Sequence, residues 1–521
     1  MVQGAVRAMM NKVSHLTRVT LLLAVFFAFD KVIAIFRQVV INRQFGLSPE
    51  LDAFNAANNL PDLLYALISG GALSIAFIPI LSEVLTRSGR EDAWKLFSRI
   101  TNLAFLVTAV FSVVFALLAD QLVGWKLGVA PGFTEAQQHL VANLMRLNLI
   151  ATLIFSLSGL VMAGLQANQH FLLPAMAPLL YNAGQIFGAM ILAPAKGYTI
   201  GTIALPAFGY GVRGLVYGVI IGAILHISIQ IPALIKYGFK WSASLGLKTI
   251  EVKKVLYLMG PRIMTMMFIQ FIFIARDNLA SIFQGGVTLL TNGWMLMQVP
   301  ETLIGTAIGT ALLPTLSEQF TRTDKEGFQA TVQRASQVLV AVTLPVAAIL
   351  AAGMRPVLGL AFQFGETATD QLLLVFQAFL VGLTANSLIE VAARSFYARQ
   401  NARIPLLVSF LNALLFIGFA SLLRGYMNVT GIALAISISY TCEVILLFYL
   451  LKKRMAINIH LGNTLLRACL AALAGGAVCW LVMQIPSHGL NSLILSAGAM
   501  LLGLCVAVPF IHGELKTLIK L

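Results

Sequence analysis

Two cations stand inside the first apolar stretch of the 521-residue chain. Lys31 is the eleventh residue of the 21-residue stretch Leu21–Ile41, and Arg37 follows it. A charge in the middle of a membrane-length segment is costly unless it faces a cavity or a partner. Asp30 precedes Lys31 and lies seven residues before Arg37, on the same face of a helix. Two readings are open. Either Asp30 pairs with a neighbouring cation and glues helices, or Lys31 and Arg37 form a wall for an anionic ligand. Arg146, and Arg262 after Gly260-Pro261, are similar cases, with Arg262 near enough to a segment end to snorkel. Asp62 follows Pro61 inside the second apolar stretch, whereas Asp52 at its start could cap a helix. Arg276-Asp277 reads as a structural pair or as a ligand site, and Glu390 and Glu443 read as structural.

Catalytic constellations are missing. No phosphate-binding loop with its lysine is present, so the chain is not expected to hydrolyse nucleotide. The seven histidines are scattered without zinc-ligand spacing, and no serine sits in a nucleophile elbow. Cys442, Cys469, Cys479 and Cys505 fall in apolar runs and read as buried free thiols. The expectation is a protein that is not an enzyme and holds neither metal nor cofactor.

The elements that position these residues are membrane spans. Hydrophobic residues make up 59% of the chain, charged residues 11%, and the mean hydropathy is +0.88. Fourteen apolar runs are long enough to cross a bilayer, at roughly 20–42, 54–83, 101–124, 140–164, 171–194, 214–235, 254–275, 286–316, 335–353, 372–393, 405–423, 430–451, 465–484 and 490–511. They lack alternation, so an all-α polytopic membrane protein is expected. The first run is too long for a cleavable signal. With the N-terminus inside, the intervening cytoplasmic segments hold 24 of the 35 basic residues and the outer ones seven. That bias puts both termini in the cytoplasm. It also accounts for the net charge of +15 without nucleic acid, because the cations are dispersed over short loops.

The chain repeats itself. Pro79–Arg99 and Pro314–Arg334 share eight identities in 21 positions at an offset of 235 residues. Ala167, Gln169 and Pro174 echo Ala398, Gln400 and Pro405. The repeat is six spans long, so both copies enter the membrane in the same direction. Two six-span lobes follow, 1–235 and 236–453, with 454–521 as a two-span appendage. Such lobes suit a transporter that rocks about a central cleft. Pro61 and Pro79 in the second span, and Pro300 and Pro314 in the eighth, mark helices that can bend.

Several stretches resemble the MurJ/MviN family, bacterial lipid II flippases of the multidrug/oligosaccharidyl-lipid/polysaccharide exporter superfamily. They are Phe36-Arg37-Gln38, Leu51-Asp52-Ala53-Phe54, Leu60-Pro61-Asp62-Leu63-Leu64, Gly71 to Glu83, Met259-Gly260-Pro261, Gly309 to Ser317 and Phe396-Tyr397-Ala398-Arg399-Gln400. The resemblance implies a cationic cavity in the first lobe that holds a diphosphate and its sugar-peptide head. Arg37 and Asp52 match that pattern. Lys31 stands where the family has Arg, which keeps the charge and loses the bidentate fork. Asp62 stands where Asn is common and Tyr65 where Arg is common. Met295 and Gln298 stand where the family has Arg and Glu. Arg262, from its own position, completes the candidate substrate-binding residues Lys31, Arg37, Asp52 and Asp62. For a sodium site the resemblance offers Asp277, Asn412 and Ser437, with Phe416 at an acid position.

The expected function is therefore a flippase for lipid II, a lipid-linked cell-wall precursor. It would act as a monomer in the bacterial cytoplasmic membrane, driven by Na+ or by membrane potential. One rival is a relative that flips another lipid-linked oligosaccharide or exports drugs. Another is a membrane scaffold or an enzyme acting on polyprenyl lipids, which should show an acidic metal-binding cluster on a cytoplasmic loop.

Overall fold

Inside a bilayer each backbone N–H and C=O must pair within its own segment, so apolar runs of this length fold as helices. The computed structural model describes residues 15–70, 72–399, 401–455, 457–486 and 490–518. In chain order the helices are α1 (His15–Phe45), α2 (Pro49–Ala56), α3 (Asn59–Tyr65), α4 (Ala72–Arg87), α5 (Arg90–Leu117), α6 (Ala119–Gly124), α7 (Glu135–Ala167), α8 (Leu172–Phe187), α9 (Val212–Ser228) and α10 (Ile231–Lys236). The second half continues with α11 (Ile250–Ala280), α12 (Gly286–Glu301), α13 (Ala307–Thr321), α14 (Lys325–Gly353), α15 (Arg355–Phe362), α16 (Glu366–Val381), α17 (Leu383–Ala398), α18 (Arg403–Met455), α19 (Gly462–Met483) and α20 (Leu490–Leu518). Among the described residues, eleven helices are long and apolar enough to cross a membrane. The protein is an all-helical, polytopic membrane protein. Among the described residues the strands are a two-residue antiparallel ladder, Thr199–Ile200 with Ile203–Ala204.

The eleventh and twelfth apolar runs of the sequence lie on a single element, α18, which is two helices joined at Asn428 (φ 50°, ψ −134°). Gly431 closes this joint: a Cβ there would stand 2.4 Å from the Leu423 carbonyl oxygen. The second run is broken as well. Between α3 and α4 the chain makes a π-turn, Ala66–Gly70, shortly after Pro61. The second copy does the same at Thr302–Thr306, directly after Pro300-Glu301. A π-turn leaves one backbone carbonyl out of register and bends the helix. Both copies then continue into a helix with an internal proline, Pro79 or Pro314.

The chain divides into two compact units. The first holds the described residues up to Phe45, then Ala56–Trp125 and Thr134–Gln270. Within it, α8 and its π-turned extension lie against α9 with backbone touching backbone. A Cβ on Gly184 would stand 2.4 Å from Gly222 Cα, and one on Gly188 2.6 Å from Gly218 Cα. Small residues at four-residue spacing on both helices permit that approach, which lipid-immersed helices use in place of a hydrophobic drive. The chain after α10 folds back onto α5: Trp94 Nε1 donates to Tyr237 O at 3.1 Å, and Ser98 Oγ accepts from Ser242 N at 3.2 Å.

The second unit holds Gly46–Asn55, Lys126–Phe133 and Phe271 onward. Here α19 and α20 pack on α14, with Gly475 and Gly503 backbone-close and Ile349 of α14 beside both. All four cysteines are free thiols, but only Cys479 is buried; Cys469 and Cys505 are exposed, since an apolar side chain in a membrane helix need not face the protein interior. The chain after α18 is held by Gln333, whose side chain donates to His460 O at 2.6 Å and accepts from His460 N at 2.7 Å. Gln333 lies 235 residues after Ser98. Both copies thus grip the chain that leaves their last helix from the same position.

Candidate substrate-binding cavity

The first unit holds an open-sided cavity of about 300 Å³. Its wall combines the Pro61-Asp62 turn of α3, Tyr65, and residues of α7, α8 and α9. The Phe155 ring is the hub of an aromatic cluster. It meets Tyr65 at 5.5 Å, Tyr181 at 4.9 Å and His226 at 5.4 Å, all edge to face. Behind it, Ser158 Oγ lies 2.6 Å from His226 Nδ1 and accepts from Gln230 Nε2 at 3.0 Å. Asn148 Nδ2 donates to Asn58 Oδ1 at 2.8 Å across the same wall. The cavity offers amides, aromatic faces and the exposed carboxylate of Asp62.

Neither cation of α1 lines that cavity, but Arg37 is held by Asn182, the residue next to Tyr181 of its wall. Asp30 and Arg37 are joined through one residue that the sequence does not single out. Asn182 of α8 donates to Asp30 Oδ1 at 2.7 Å and accepts from Arg37 Nη1 at 2.7 Å. The Asp30–Arg37 relation expected from their seven-residue spacing is therefore bridged rather than direct. Arg37 keeps a buried Nε–H that has no partner. Lys31 is rotated roughly 100° round the helix from Asp30. It is exposed and forms no ion pair among the described residues.

Asp52 has a different setting. It belongs to the second unit and is 1% exposed. Its Oδ2 accepts from Gly285 N at 2.7 Å, and its Oδ1 accepts from Thr288 N at 2.8 Å and Thr288 Oγ1 at 2.7 Å. A carboxylate so placed caps the positive end of α12, from more than two hundred residues away in sequence. Asp52 is a cap as its residue type suggests, of a helix other than its own. Arg146 reaches Asp120 at 2.6 Å and the Ala116 carbonyl at 2.9 Å, which makes it a structural tie. The Arg262 side chain lies outside the described residues.

The candidate sodium ligands are committed elsewhere. Asp277, 1% exposed, pairs with Arg276 at 2.7 Å, and the Arg276 guanidinium lies 5.1 Å from the Phe273 ring centre. Ser437 Oγ donates to Ala378 O at 2.6 Å. Asn412 Oδ1 is buried without a partner and is the one orphan acceptor of the three. An arginine against the carboxylate and a hydroxyl spent on backbone do not fit a sodium cage. Among the described residues no group of three or more His, Cys, Asp or Glu could hold a metal. Glu390 pairs with Arg394 at 2.6 Å, and Glu443 accepts from Ser409 at 3.2 Å.

Sequence reasoning missed Asn182, because a lone polar residue in an apolar run carries no signal of its partner. It also missed Glu301, which is buried beside the second π-turn and accepts from Thr306 Oγ1 at 3.0 Å. A Pro-acid pair, Pro300-Glu301, stands in the eighth span as Pro61-Asp62 does in the second, but four residues off the offset of 235, so the repeat did not point to it.

The family model described as lipid II flippase MurJ matches residues 41–497. A lipid II flippase MurJ of Burkholderia cenocepacia is 30% identical over 457 residues, 84% of each chain. A probable lipid II flippase MurJ of Bdellovibrio bacteriovorus is 24% identical over 92% of this chain and 89% of its own. Among solved structures, a lipid II flippase MurJ in an inward closed conformation superposes with a TM-score of 0.77 at 21% identity, covering 95% of this chain and 100% of its own. An inward-facing multidrug resistance MATE family transporter of the MOP superfamily gives 0.66 at 15% identity, over 82% and 94%.

Proposed function

Because the chain belongs to the MurJ lipid II flippase family, we propose that it carries lipid II from the inner to the outer leaflet of the bacterial cytoplasmic membrane. The observation that carries this reading is the family match over residues 41–497, which includes both repeated segments, Pro79–Arg99 and Pro314–Arg334. The protein crosses the membrane fourteen times with both termini in the cytoplasm, a topology supported by the 24 inner against seven outer basic residues. The lobes 1–235 and 236–453 rock as a monomer about the head group, and 454–521 stays an appendage.

In this reading the diphosphate of the substrate meets the first lobe at Arg37 and Lys31. Arg37 brings an N–H that nothing else uses, and Asn182 holds the guanidinium in place. Lys31 brings a mobile point charge. Each charge-assisted hydrogen bond is worth roughly 1.5–3 kcal/mol. Asp62, Tyr65 and the aromatic cluster form an adjoining polar and aromatic surface for the sugar-peptide head. The π-turns after Pro61 and Pro300 supply the bends on which the lobes open. Membrane potential suffices as a drive, at about 2.3 kcal/mol per charge per 100 mV. No step is assigned to sodium.

One observation favours a second reading. Three aromatic rings and the Asp62 carboxylate around a cavity of about 300 Å³ suit an organic cation, which would make the chain a drug exporter. The test is rescue of a flippase-depleted bacterium. The unmodified chain restores growth, Lys31→Arg is tolerated, and Lys31→Ala and Arg37→Ala each impair rescue at unchanged protein abundance. Failure of the unmodified chain to rescue, combined with drug efflux from the same cells, would favour the exporter.

A further inference from the structure

The two copies of the repeat differ at one place in their packing. In the first copy Trp94, 3% exposed, fills the space beneath the chain that leaves α10. Its ring meets Phe97 and Phe239 edge to face at 5.5 and 5.4 Å, and Arg90 lies 5.6 Å from the Tyr237 ring centre. Advancing 235 residues turns Trp94 into Gln329 and Arg90 into Lys325. With the plug gone, the second copy is open there, as a cavity of about 400 Å³.

Four cations line this cavity: Lys325 at the start of α14, Arg399 just past α17, and Lys453 and Arg454 at the end of α18. None of the four pairs with a carboxylate among the described residues. The one acid in the wall, Asp324, accepts from Gly327 N at 2.8 Å and caps α14. Gln319 Nε2 is spent on Thr331 Oγ1 at 2.9 Å, which leaves a buried Oε1 without a donor. Phe320 and Phe328 give the cavity an apolar side, and Arg399 lies 5.2 Å from the Phe320 ring centre.

Four like charges around so small a space repel one another, and the N-terminus of α14 adds positive potential. An anion with several acceptor oxygens relieves that repulsion, and a hydroxyl beside it satisfies the Gln319 oxygen. We infer that this cavity is a binding site for a phosphate group bearing a hydroxylated substituent, as in the head of an anionic phospholipid. The site is separate from the transport cavity. It depends on the proposed topology only for its place at the cytoplasmic surface, where such heads are exposed.

The test uses the full chain purified in detergent. Retention of phosphatidylglycerol and of phosphatidylcholine is read by native mass spectrometry, and inorganic phosphate is titrated as a competitor. Two variants probe the cavity independently. Gln329→Trp restores the plug of the first copy without changing charge. Arg399→Gln with Lys453→Gln removes charge without filling the space. The expected result is preferential retention of phosphatidylglycerol, reduced at least tenfold in both variants while phosphatidylcholine retention and thermal midpoint stay unchanged. Displacement by millimolar phosphate would identify the phosphate group alone as sufficient. Resistance to phosphate would assign the site to lipid heads. Equal retention of the two lipids, or phosphatidylglycerol retention unchanged in the charge-removed variant, overturns the inference.

Discussion

Asp52→Ala separates a structural carboxylate from a substrate-binding one. In the native protein three donors converge on this side chain: Gly285 N, Thr288 N and Thr288 Oγ1. Hydrogen bonds to a charged acceptor contribute roughly 1.5–3 kcal/mol each, and loss of a helix cap costs about 0.5–2 kcal/mol. These contributions overlap, since two of the donors are the capped N–H groups themselves. Leaving buried N–H groups unpaired makes a net loss of about 3–5 kcal/mol the expected outcome. Asp52→Asn keeps one good acceptor and should lose about half as much. The assay is thermal unfolding in detergent by intrinsic fluorescence, alongside lipid II binding by the folded fraction. The expectation is a lower midpoint for both variants, Ala below Asn, with unchanged affinity in the protein that remains folded. An Asp52→Ala protein of native stability that no longer binds substrate would refute the capping argument.

Other positions give sharper local tests. Asn182→Ala uncouples Asp30 from Arg37 and should cost about 1–3 kcal/mol of stability together with transport, checked by thermal unfolding and growth rescue. Gly218→Ala places a methyl 2.7 Å from Gly188 Cα, so α8 and α9 must separate. A loss of about 1–3 kcal/mol is expected from that overpacking, read as a lowered midpoint. Gln333→Ala releases the chain after α18 and should speed proteolysis between α18 and α19 while transport persists.

The fold was largely legible because its signals are local. Apolar length alone marks the helices, and the shared Pro79–Arg99 and Pro314–Arg334 segments mark the duplication. The bends were legible as prolines, although the π-turns at Ala66–Gly70 and Thr302–Thr306 were not, since one extra residue per turn leaves no compositional trace. The site was less legible because its partners are distant. Asn182 meets Arg37 across 145 residues, and Asp52 meets Thr288 across 236. Residue type suggested a cap at Asp52, but only the fold shows which helix it serves. Lys31 and Arg37 read as one wall on the basis of charge. The fold adds what charge does not show: Asn182 holds Arg37, and Lys31 stands exposed about 120° round the same helix. The partner of Asp277 was legible only in part: Arg276, adjacent in sequence, pairs with its carboxylate.

In the proposed function the chain moves lipid II with its diphosphate held at Lys31 and Arg37. The most direct measurement is translocation of fluorescent lipid II in vesicles reconstituted with the purified protein, scored by quenching of the outer leaflet under an imposed potential. Transfer is expected to depend on the protein, to be accelerated by potential, and to fall at least tenfold in Arg37→Ala with lipid scrambling absent. Transfer at the rate of empty vesicles, or equal transfer by the unmodified protein and by Lys31→Ala and Arg37→Ala, would contradict it.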